Sequence, residues 1–295
     1  EPGSARWAGP REARAFADRR DPANNIILTR RVSLAMSRAD HDPRFERNRN
    51  VLVIGGSGSG KTRSYVIPNV LQMNASLLVT DPKGTLEAEL GPALRAAGYE
   101  VARIDTVDFG RSARYNPLAY VRTQQDVLEV VDCIIANTTR EGASSADPFW
   151  ENAERLLYSA LVAYLVWHCP EADRNLPGLI TLLSLASASE GDEGYKSPLD
   201  VLFDELETGK RCVVGEEGSR QEGARSFTGG TRVAWVRVAE PLAPEDDFAL
   251  GRYRAFRVAA GRTLKSIIIS CNARLAPLGG EEIRRVLSGD DLGID

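Results

Sequence analysis

The sequence has few of the side chains that bind metals or form disulfides. Its 295 residues include two histidines, His41 and His168, and four widely separated cysteines without a CxxC pair, at Cys133, Cys169, Cys212 and Cys271. Structural zinc sites and disulfide frameworks need such residues at short, regular spacings. His168 and Cys169 are adjacent, but they close a long apolar helix, where packing explains a buried cysteine. We therefore predict neither a zinc site nor a disulfide framework.

Long apolar runs are also missing. The longest one, Leu156 to Cys169, is too short to cross a bilayer and follows Glu151, Glu154 and Arg155, so it predicts a buried helix. The chain opens with polar, Arg-rich sequence instead of an apolar signal segment, which favours a cytoplasmic, reducing compartment.

A strong excess of one charge is absent as well. The net charge is -4, with 43% hydrophobic and 26% charged residues, a balance typical of soluble globular proteins. Such a chain has no overall electrostatic surface for wrapping duplex nucleic acid, so any contact with nucleic acid must be local. Residues 1–50 are Arg-rich, and we interpret them as a solvated face, with a polyanion-facing arm as the alternative.

A glycine-rich loop with defined spacing is the main motif of the sequence. It has the form G-x-x-x-x-G-K-T and consists of Gly55, Gly56, Ser57, Gly58, Ser59, Gly60, Lys61 and Thr62. Glycines allow backbone N–H groups to turn towards a phosphate, and the following helix directs its positive end at the same place. The pattern predicts that Lys61 pairs with the β and γ phosphates of ATP and that the Thr62 hydroxyl binds Mg²⁺.

Alternating short strands and helices surround this loop. Strands are predicted at 51–54, 77–80 and 101–104, with helices from Lys61 and over Thr85 to Ala97. This βαβαβ order predicts an α/β fold with a parallel sheet, whose strands end along one ligand-binding edge.

Asp81 follows the second predicted strand in the sequence Asp81-Pro82-Lys83-Gly84. It has three interpretations: a Walker B aspartate, a sensor of the γ-phosphate, or the start of a plain strand-to-helix turn. Pro82 stands where ATPases commonly carry a water-polarising glutamate, and the absence of an N-K-x-D motif disfavours GTP. Asp204-Glu205 resembles the Asp-Glu pair that forms the other half of an ATPase site. It falls on a predicted helix, however, and is expected to face solvent.

Helices dominate after about Val121. We predict helices from Asp147-Pro148 to Pro170, over about 179–189, over 199–208 after a Ser197-Pro198 start, over 245–260 and over 263–275. Residues 210–244 form a Gly- and Arg-rich arm, with a β-ribbon as one form of it.

Several segments in order resemble the TraG/TraD-type coupling proteins of type IV secretion. These are Gly3-Ser4-Ala5-Arg6-Trp7-Ala8, the Gly-rich loop, Val79 to Gly84, Tyr115-Asn116-Pro117-Leu118, Asp147-Pro148-Phe149-Trp150, Lys265 to Ser270 and Arg274-Leu275-Ala276-Pro277. The resemblance covers nearly the whole chain.

The resemblance implies a RecA-like P-loop NTPase domain with an inserted all-α domain, in a hexameric ATPase at the cytoplasmic face of the bacterial inner membrane. It implies DNA, relaxase or relaxosome proteins and secretion-channel components as partners. The expected organisation is an arm at 1–49, nucleotide-binding sequence at 50–121, the all-α domain at 122–262 and a return into the nucleotide-binding domain at 263–295.

Three departures from the family accompany the resemblance. The family's membrane anchor and its later Asp-Glu pair are not in the sequence, 210–244 looks like an insertion, and Thr85 replaces a frequent glutamate. We therefore expect a fragment of a longer motor, with weak or no turnover alone. Two alternatives stay open: a docking module whose nucleotide site is structural, and a DNA-pumping ATPase of the FtsK/HerA class, which would not need the helical insertion.

Overall fold

The computed structural model describes residues 9–37, 48–138, 148–188, 195–215, 225–226, 232–260 and 263–294. The chain divides into two compact units, Glu1–Val101 and Ala102–Asp295. The first unit carries the Gly-rich loop, and the second carries most of the helices. The predicted boundaries at 49, 121 and 262 stay predictions.

A β-hairpin opens the first unit after the short helix α1 (Pro10–Ala13). Its strands β1 (Asn25–Thr29) and β2 (Val32–Ala35) pair antiparallel. The Thr29 hydroxyl accepts hydrogen bonds from the backbone N–H groups of Arg31 (3.3 Å) and Val32 (3.1 Å), which fixes the turn. The sequence pattern does not predict this hairpin, because β1 does not alternate apolar and polar residues.

The predicted helix after the Gly-rich loop is confirmed, but it begins with a wide turn. Thr62–Val66 forms a π-helical turn and α2 (Ile67–Val70) continues it. Pro68 has no N–H to donate to the carbonyl of Ser64, and its ring crowds that carbonyl, which accounts for a wide turn at this point. The next helix, α3 (Thr85–Ala96), is where the sequence predicts it.

The structure assigns no strand to the described residues 51–54, 77–80 and 101–104. Their apolar side chains are largely exposed: Leu52 is 84% exposed, Ile54 87% and Leu78 99%. A short apolar segment becomes a buried strand only when neighbouring strands pair with it and helices cover it. The RecA-like parallel sheet therefore stays a prediction.

The second unit is a helical body with a small sheet. Its helices are α4 (Gln124–Thr138), α5 (Pro148–His168), α6 (Leu176–Ser184), α7 (Pro198–Thr208), α8 (Phe248–Ala260), α9 (Leu264–Leu275) and α10 (Glu281–Leu287). Among the described residues, no helix is both long and apolar enough to span a membrane.

Helix α5 is the centre of this body and contacts α4, α6, α8 and α9. Leu157, Leu161 and Leu165 lie on one side of it and are buried. Their spacing of four residues matches the helical repeat, which is why the sequence predicts this helix correctly. The expected cap, Asp147, lies outside the described residues.

The ends of α7 follow the predicted signals. The Ser197 hydroxyl accepts a hydrogen bond from the Asp200 N–H (3.1 Å), and the Asp200 carboxylate accepts one from the Ser197 N–H (2.8 Å). This reciprocal capping box starts the helix, and Gly209, at φ 64°, ends it.

The small sheet follows α7 and falls within the arm predicted from the sequence. Strand β5 (Arg232–Arg237) pairs antiparallel with β3 (Lys210–Gly215) on one side and with β4 (Arg225–Ser226) on the other. The β-ribbon interpretation is thus confirmed for the strand residues.

Candidate nucleotide-binding loop

Glycine backbone conformations shape the loop at residues 55–62. Gly58 has φ 76° and Gly60 has φ 83°, values in the left-handed region that other residues rarely adopt. At Gly55, a Cβ atom would contact the Ser59 hydroxyl oxygen, so a side chain there would require Ser59 to move. The backbone of the loop therefore needs glycine at Gly58 and Gly60, and its packing favours glycine at Gly55.

Lys61 is bound inside the loop by main-chain carbonyls. Its Nζ donates hydrogen bonds to the carbonyl oxygens of Gly55 (2.6 Å) and Gly56 (2.9 Å). The Ser64 N–H donates to the Gly60 carbonyl (2.7 Å), so helical bonding begins directly after the loop. The arrangement directs a positive charge into the curve of the loop, where a phosphate chain would need it.

Thr62 is exposed at the first position of the π-helical turn. A hydroxyl next to a phosphate-binding lysine is the usual Mg²⁺ ligand of such loops. The residues present therefore fit a magnesium nucleotide: glycine-shaped backbone, an inward ammonium and an exposed hydroxyl. Ser57 and Ser59 complete the loop, and neither has a positive φ angle.

Asp81 begins a turn into α3. Its carboxylate accepts a hydrogen bond from the Leu86 N–H (2.6 Å), and the Gly84 N–H donates to the Asp81 carbonyl (3.0 Å). Gly84 itself has φ 65°. These contacts assign Asp81 the structural turn role, while the predicted sensing of phosphate or metal stays a prediction.

Asp204 and Glu205 lie on α7, as predicted, but they are less exposed than expected. Asp204 pairs with Lys196 and with Arg254 (2.9 Å), and Glu205 pairs with Arg211 (2.6 Å). Burial alone would raise the pKa of Asp204, but hydrogen bonds from Lys196 and Arg254 outweigh it and lower the pKa. Both carboxylates are engaged in ion pairs, a structural use of the acidic pair.

The sequence gives little indication of one contact that holds the loop's helix. The Asn69 side chain donates to the Ile27 carbonyl (2.9 Å) and accepts from the Ile27 N–H (2.8 Å), so it pairs with β1 as a neighbouring strand would. Gln72 donates to the Asn25 carbonyl (2.9 Å). Asn69 lies on α2 and Gln72 in the turn that follows it, so the available signal was two amide side chains three residues apart.

A buried ion pair connects α5 to the Arg274-Leu275-Ala276-Pro277 segment that begins in α9. Glu154 of α5 is 1% exposed and accepts a hydrogen bond from Arg274 of α9 (2.7 Å). The Ser270 hydroxyl donates to the other oxygen of the same carboxylate. A charge buried this deeply requires such partners, so the pair joins α5 to α9.

The Tyr115 to Leu118 motif also has a structural role. The Asn116 side chain caps the turn by accepting from the Leu118 N–H (3.1 Å) and donates to the Arg174 carbonyl (2.7 Å). Tyr120 donates from its hydroxyl to Asp290 (2.6 Å). The Gly3 to Ala8 motif lies outside the described residues. Within the described ranges, no group of three His, Cys, Asp or Glu side chains is placed to hold a metal ion.

Comparison with known proteins gives a family match over most of the chain. A family model described as Type IV secretory system Conjugative DNA transfer matches residues 16–295. A conjugal transfer protein TraG from Rhizobium radiobacter is 28% identical over 117 residues, which are 38% of this chain and 18% of that protein. One of the same name from Agrobacterium fabrum strain C58 is 29% identical over 117 residues, 38% of this chain and 17% of the relative. The match thus spans less than a fifth of either relative.

Proposed function

This chain belongs to the type IV secretory system conjugative DNA transfer family, and we propose that its loop at 55–62 binds Mg-ATP as part of a motor for that transfer. The observation that carries the proposal is the position of Lys61, whose ammonium group is held inside a loop shaped by glycines. ATP hydrolysis supplies the free energy for movement when nucleotide is bound.

The residues of the loop have separate roles in this proposal. Backbone N–H groups of the loop would hold the phosphate oxygens, and Lys61 would supply its positive charge to the β and γ phosphates. The Thr62 hydroxyl would be the ligand that the loop offers to Mg²⁺. We propose that Asp81 acts as a Walker B aspartate or senses the γ-phosphate, in addition to accepting the hydrogen bond from the Leu86 N–H.

A RecA-like parallel sheet is the proposed context of the loop. The exposed apolar side chains at 51–54 and 77–80 support it, because both segments have the composition of strands buried on two faces. In the longer protein, pairing of these segments with further strands would bury Leu52, Ile54 and Leu78 beside the loop.

Relaxase or relaxosome proteins and secretion-channel components are the proposed protein partners of the longer protein. We further propose that the longer protein assembles as a hexamer and is anchored at the cytoplasmic face of the bacterial inner membrane. The all-α domain predicted at 122–262 is the part proposed to meet the relaxosome or transferred protein, and its helices share one apolar core.

Calorimetric titration with Mg-ATP tests the nucleotide site. We expect saturable binding by the 295-residue chain and loss of that binding in Lys61→Ala. Lys196→Ala is the control, because Lys196 is an exposed lysine of the second unit, outside the unit that carries the loop. Equal binding by Lys61→Ala and the unmodified chain would contradict the assignment of this loop.

The alternative function is a docking module in which nucleotide only stabilises the fold. The compact core of the second unit favours it, because that unit packs without the Gly-rich loop's residues. Stimulation of ATP hydrolysis by DNA in the longer protein distinguishes the two, since docking alone would leave hydrolysis unchanged.

A further inference from the structure

The three strands of the small sheet carry charge of a single sign. They contain five cationic residues and no acidic one, whereas the whole chain has a net charge of -4. The five are Lys210, Arg211, Arg225, Arg232 and Arg237. Solvated surfaces normally mix both signs, and the cations whose side chains the structure describes are Lys210, Arg211 and Arg237.

The register of the sheet places two of these cations opposite each other. Lys210 of β3 pairs with Arg237 of β5, and two residues further along the ladder Cys212 pairs with Trp235. Residues directly opposite each other, and those two apart on one strand, lie on the same face of a sheet. Lys210, Cys212, Trp235 and Arg237 therefore share one face, which we call the tryptophan face.

This arrangement is unfavourable for the folded chain alone. Like charges directly opposite each other in a sheet destabilise it. Glu240 offsets Arg237 only through a long contact of 3.5 Å between exposed side chains. A bound anion that contacts both Lys210 and Arg237 would remove the repulsion.

Trp235 adds an aromatic ring to the same face. Its side chain is 56% exposed, unusual for so large an apolar group. Lysines at a sheet edge can be explained as protection against aggregation, but that explanation does not account for an exposed tryptophan next to two cations. Aromatic rings next to cations are the combination that binds single-stranded nucleic acid, because bases stack on the ring and phosphates pair with the cations.

The opposite face of the small sheet carries a cation that is already paired with a carboxylate. Arg211 points its charge to Glu205 of α7, with a distance of 2.6 Å between the two side chains. That cation is already neutralised within the protein. It therefore provides a control for the effect of charge alone.

We propose that the tryptophan face binds single-stranded DNA, with Trp235 stacked on a base and with Lys210 and Arg237 contacting the flanking phosphates. The choice of DNA rests on the proposed function in DNA transfer. The proposal assigns a role to the predicted insertion at 210–244.

Binding of a fluorescently labelled oligothymidine of 20 nucleotides to the 295-residue chain, followed by anisotropy at several salt concentrations, tests this proposal. We expect Trp235→Ala to raise Kd about tenfold, the effect of losing one stacked base. Trp235→Phe keeps an aromatic ring and should restore most of the affinity. The double variant Lys210→Ser/Arg237→Ser should reduce the slope of log K against log salt by about 1.4, since each lost phosphate contact removes about 0.7.

Two control variants lie on the other face. Val213→Ala matches the tryptophan change and Arg211→Ser matches a loss of charge, and both should leave Kd within about twofold. Circular dichroism melting of every variant checks that the helical core is intact. The proposal is overturned if Trp235→Ala binds as tightly as the unmodified chain, or if duplex of equal length binds equally well and independently of Trp235.

The DNA-binding test and the Mg-ATP titration can fail independently of each other. Absence of DNA binding by a chain that still titrates with Mg-ATP would overturn the assignment of the tryptophan face alone. Loss of Mg-ATP binding together with intact, Trp235-dependent DNA binding would overturn the nucleotide proposal alone.

Discussion

The helical unit buries its apolar side chains, whereas the loop-bearing unit exposes many of its own. Leu157, Leu161 and Leu165 of α5 are inaccessible to solvent, but Leu52 and Leu78 of the predicted strands are almost fully accessible. Both sets are equally apolar in the sequence. The difference therefore lies in what each kind of element needs in order to pack.

A helix forms its backbone hydrogen bonds within one segment, so a helix with an apolar side needs only a matching surface. A parallel strand forms its hydrogen bonds with other segments and is buried on both faces. Helices α4 to α9 find their matching surfaces within the second unit. The segments at 51–54 and 77–80 have neither strand partners nor cover among the described residues, which explains their exposure.

The largest expected effect is on the stability of the helical unit and concerns its buried ion pair. Arg274→Ala removes the cation that pairs with buried Glu154, which leaves a carboxylate without its charge partner in the core. Breaking a buried pair in this way costs about 3–5 kcal/mol of the free energy of unfolding. Urea unfolding followed by tryptophan fluorescence measures it, because three of the four tryptophans, Trp150, Trp167 and Trp235, belong to this unit.

Arg155→Ala is the matched control for that change. Arg155 also joins two helices, through Asp132 at 2.7 Å, but both side chains are accessible to water. Exposed pairs contribute about 0–1 kcal/mol. Equal destabilisation by the two variants would mean that Glu154 is not buried as a charge, and the helical unit would then be less closed than its packing indicates.

A matched pair of leucine changes tests the comparison directly. Leu161→Ala opens a cavity in the core and should cost about 2–5 kcal/mol. Leu78→Ala removes an exposed side chain and should change stability by less than about 0.5 kcal/mol. Hydrogen exchange with mass spectrometry measures the local stability of each unit separately. A cost at Leu78 as large as that at Leu161 would show that 77–80 is already packed, as the predicted sheet requires.

Local signals explain which elements the sequence predicts well. Ser197-Pro198 and Gly209 bound α7 as expected, and the four-residue apolar spacing places α5. The Gly-rich loop is equally local, since its shape depends on glycine φ angles and on a lysine one residue after Gly60. Such features need no knowledge of distant residues.

Contacts between distant residues are not predicted. Glu154 and Arg274 are 120 positions apart, and Ile27 and Asn69 are 42 apart. Each partner alone looks like an ordinary surface residue, so a single sequence carries no signal that the two meet. The solvent-facing position expected for Asp204 fails for the same reason, because Arg254 reaches it from α8.

The smallest expected effect concerns the polar contacts that hold the loop's helix. Asn69→Ala removes both hydrogen bonds to Ile27. The half-buried backbone N–H and carbonyl of Ile27 then lose that partner. Unpaired polar groups of this kind cost about 1–3 kcal/mol. We expect faster hydrogen exchange at Ile27 and weaker Mg-ATP binding, since the helix that begins at Lys61 would lose its attachment to β1.

Gln125→Ala is a suitable control, because Gln125 is exposed and contacts only Glu129 (3.2 Å) among the described hydrogen bonds of its side chain. Its removal should leave exchange at Ile27 unchanged. If Asn69→Ala also leaves exchange at Ile27 unchanged, the strand pairing and the Gln72 contact hold the hairpin without Asn69. The attachment that we infer for Asn69 would then be wrong, and the contrast between the loop-bearing unit and the tightly packed helical unit would be larger than described.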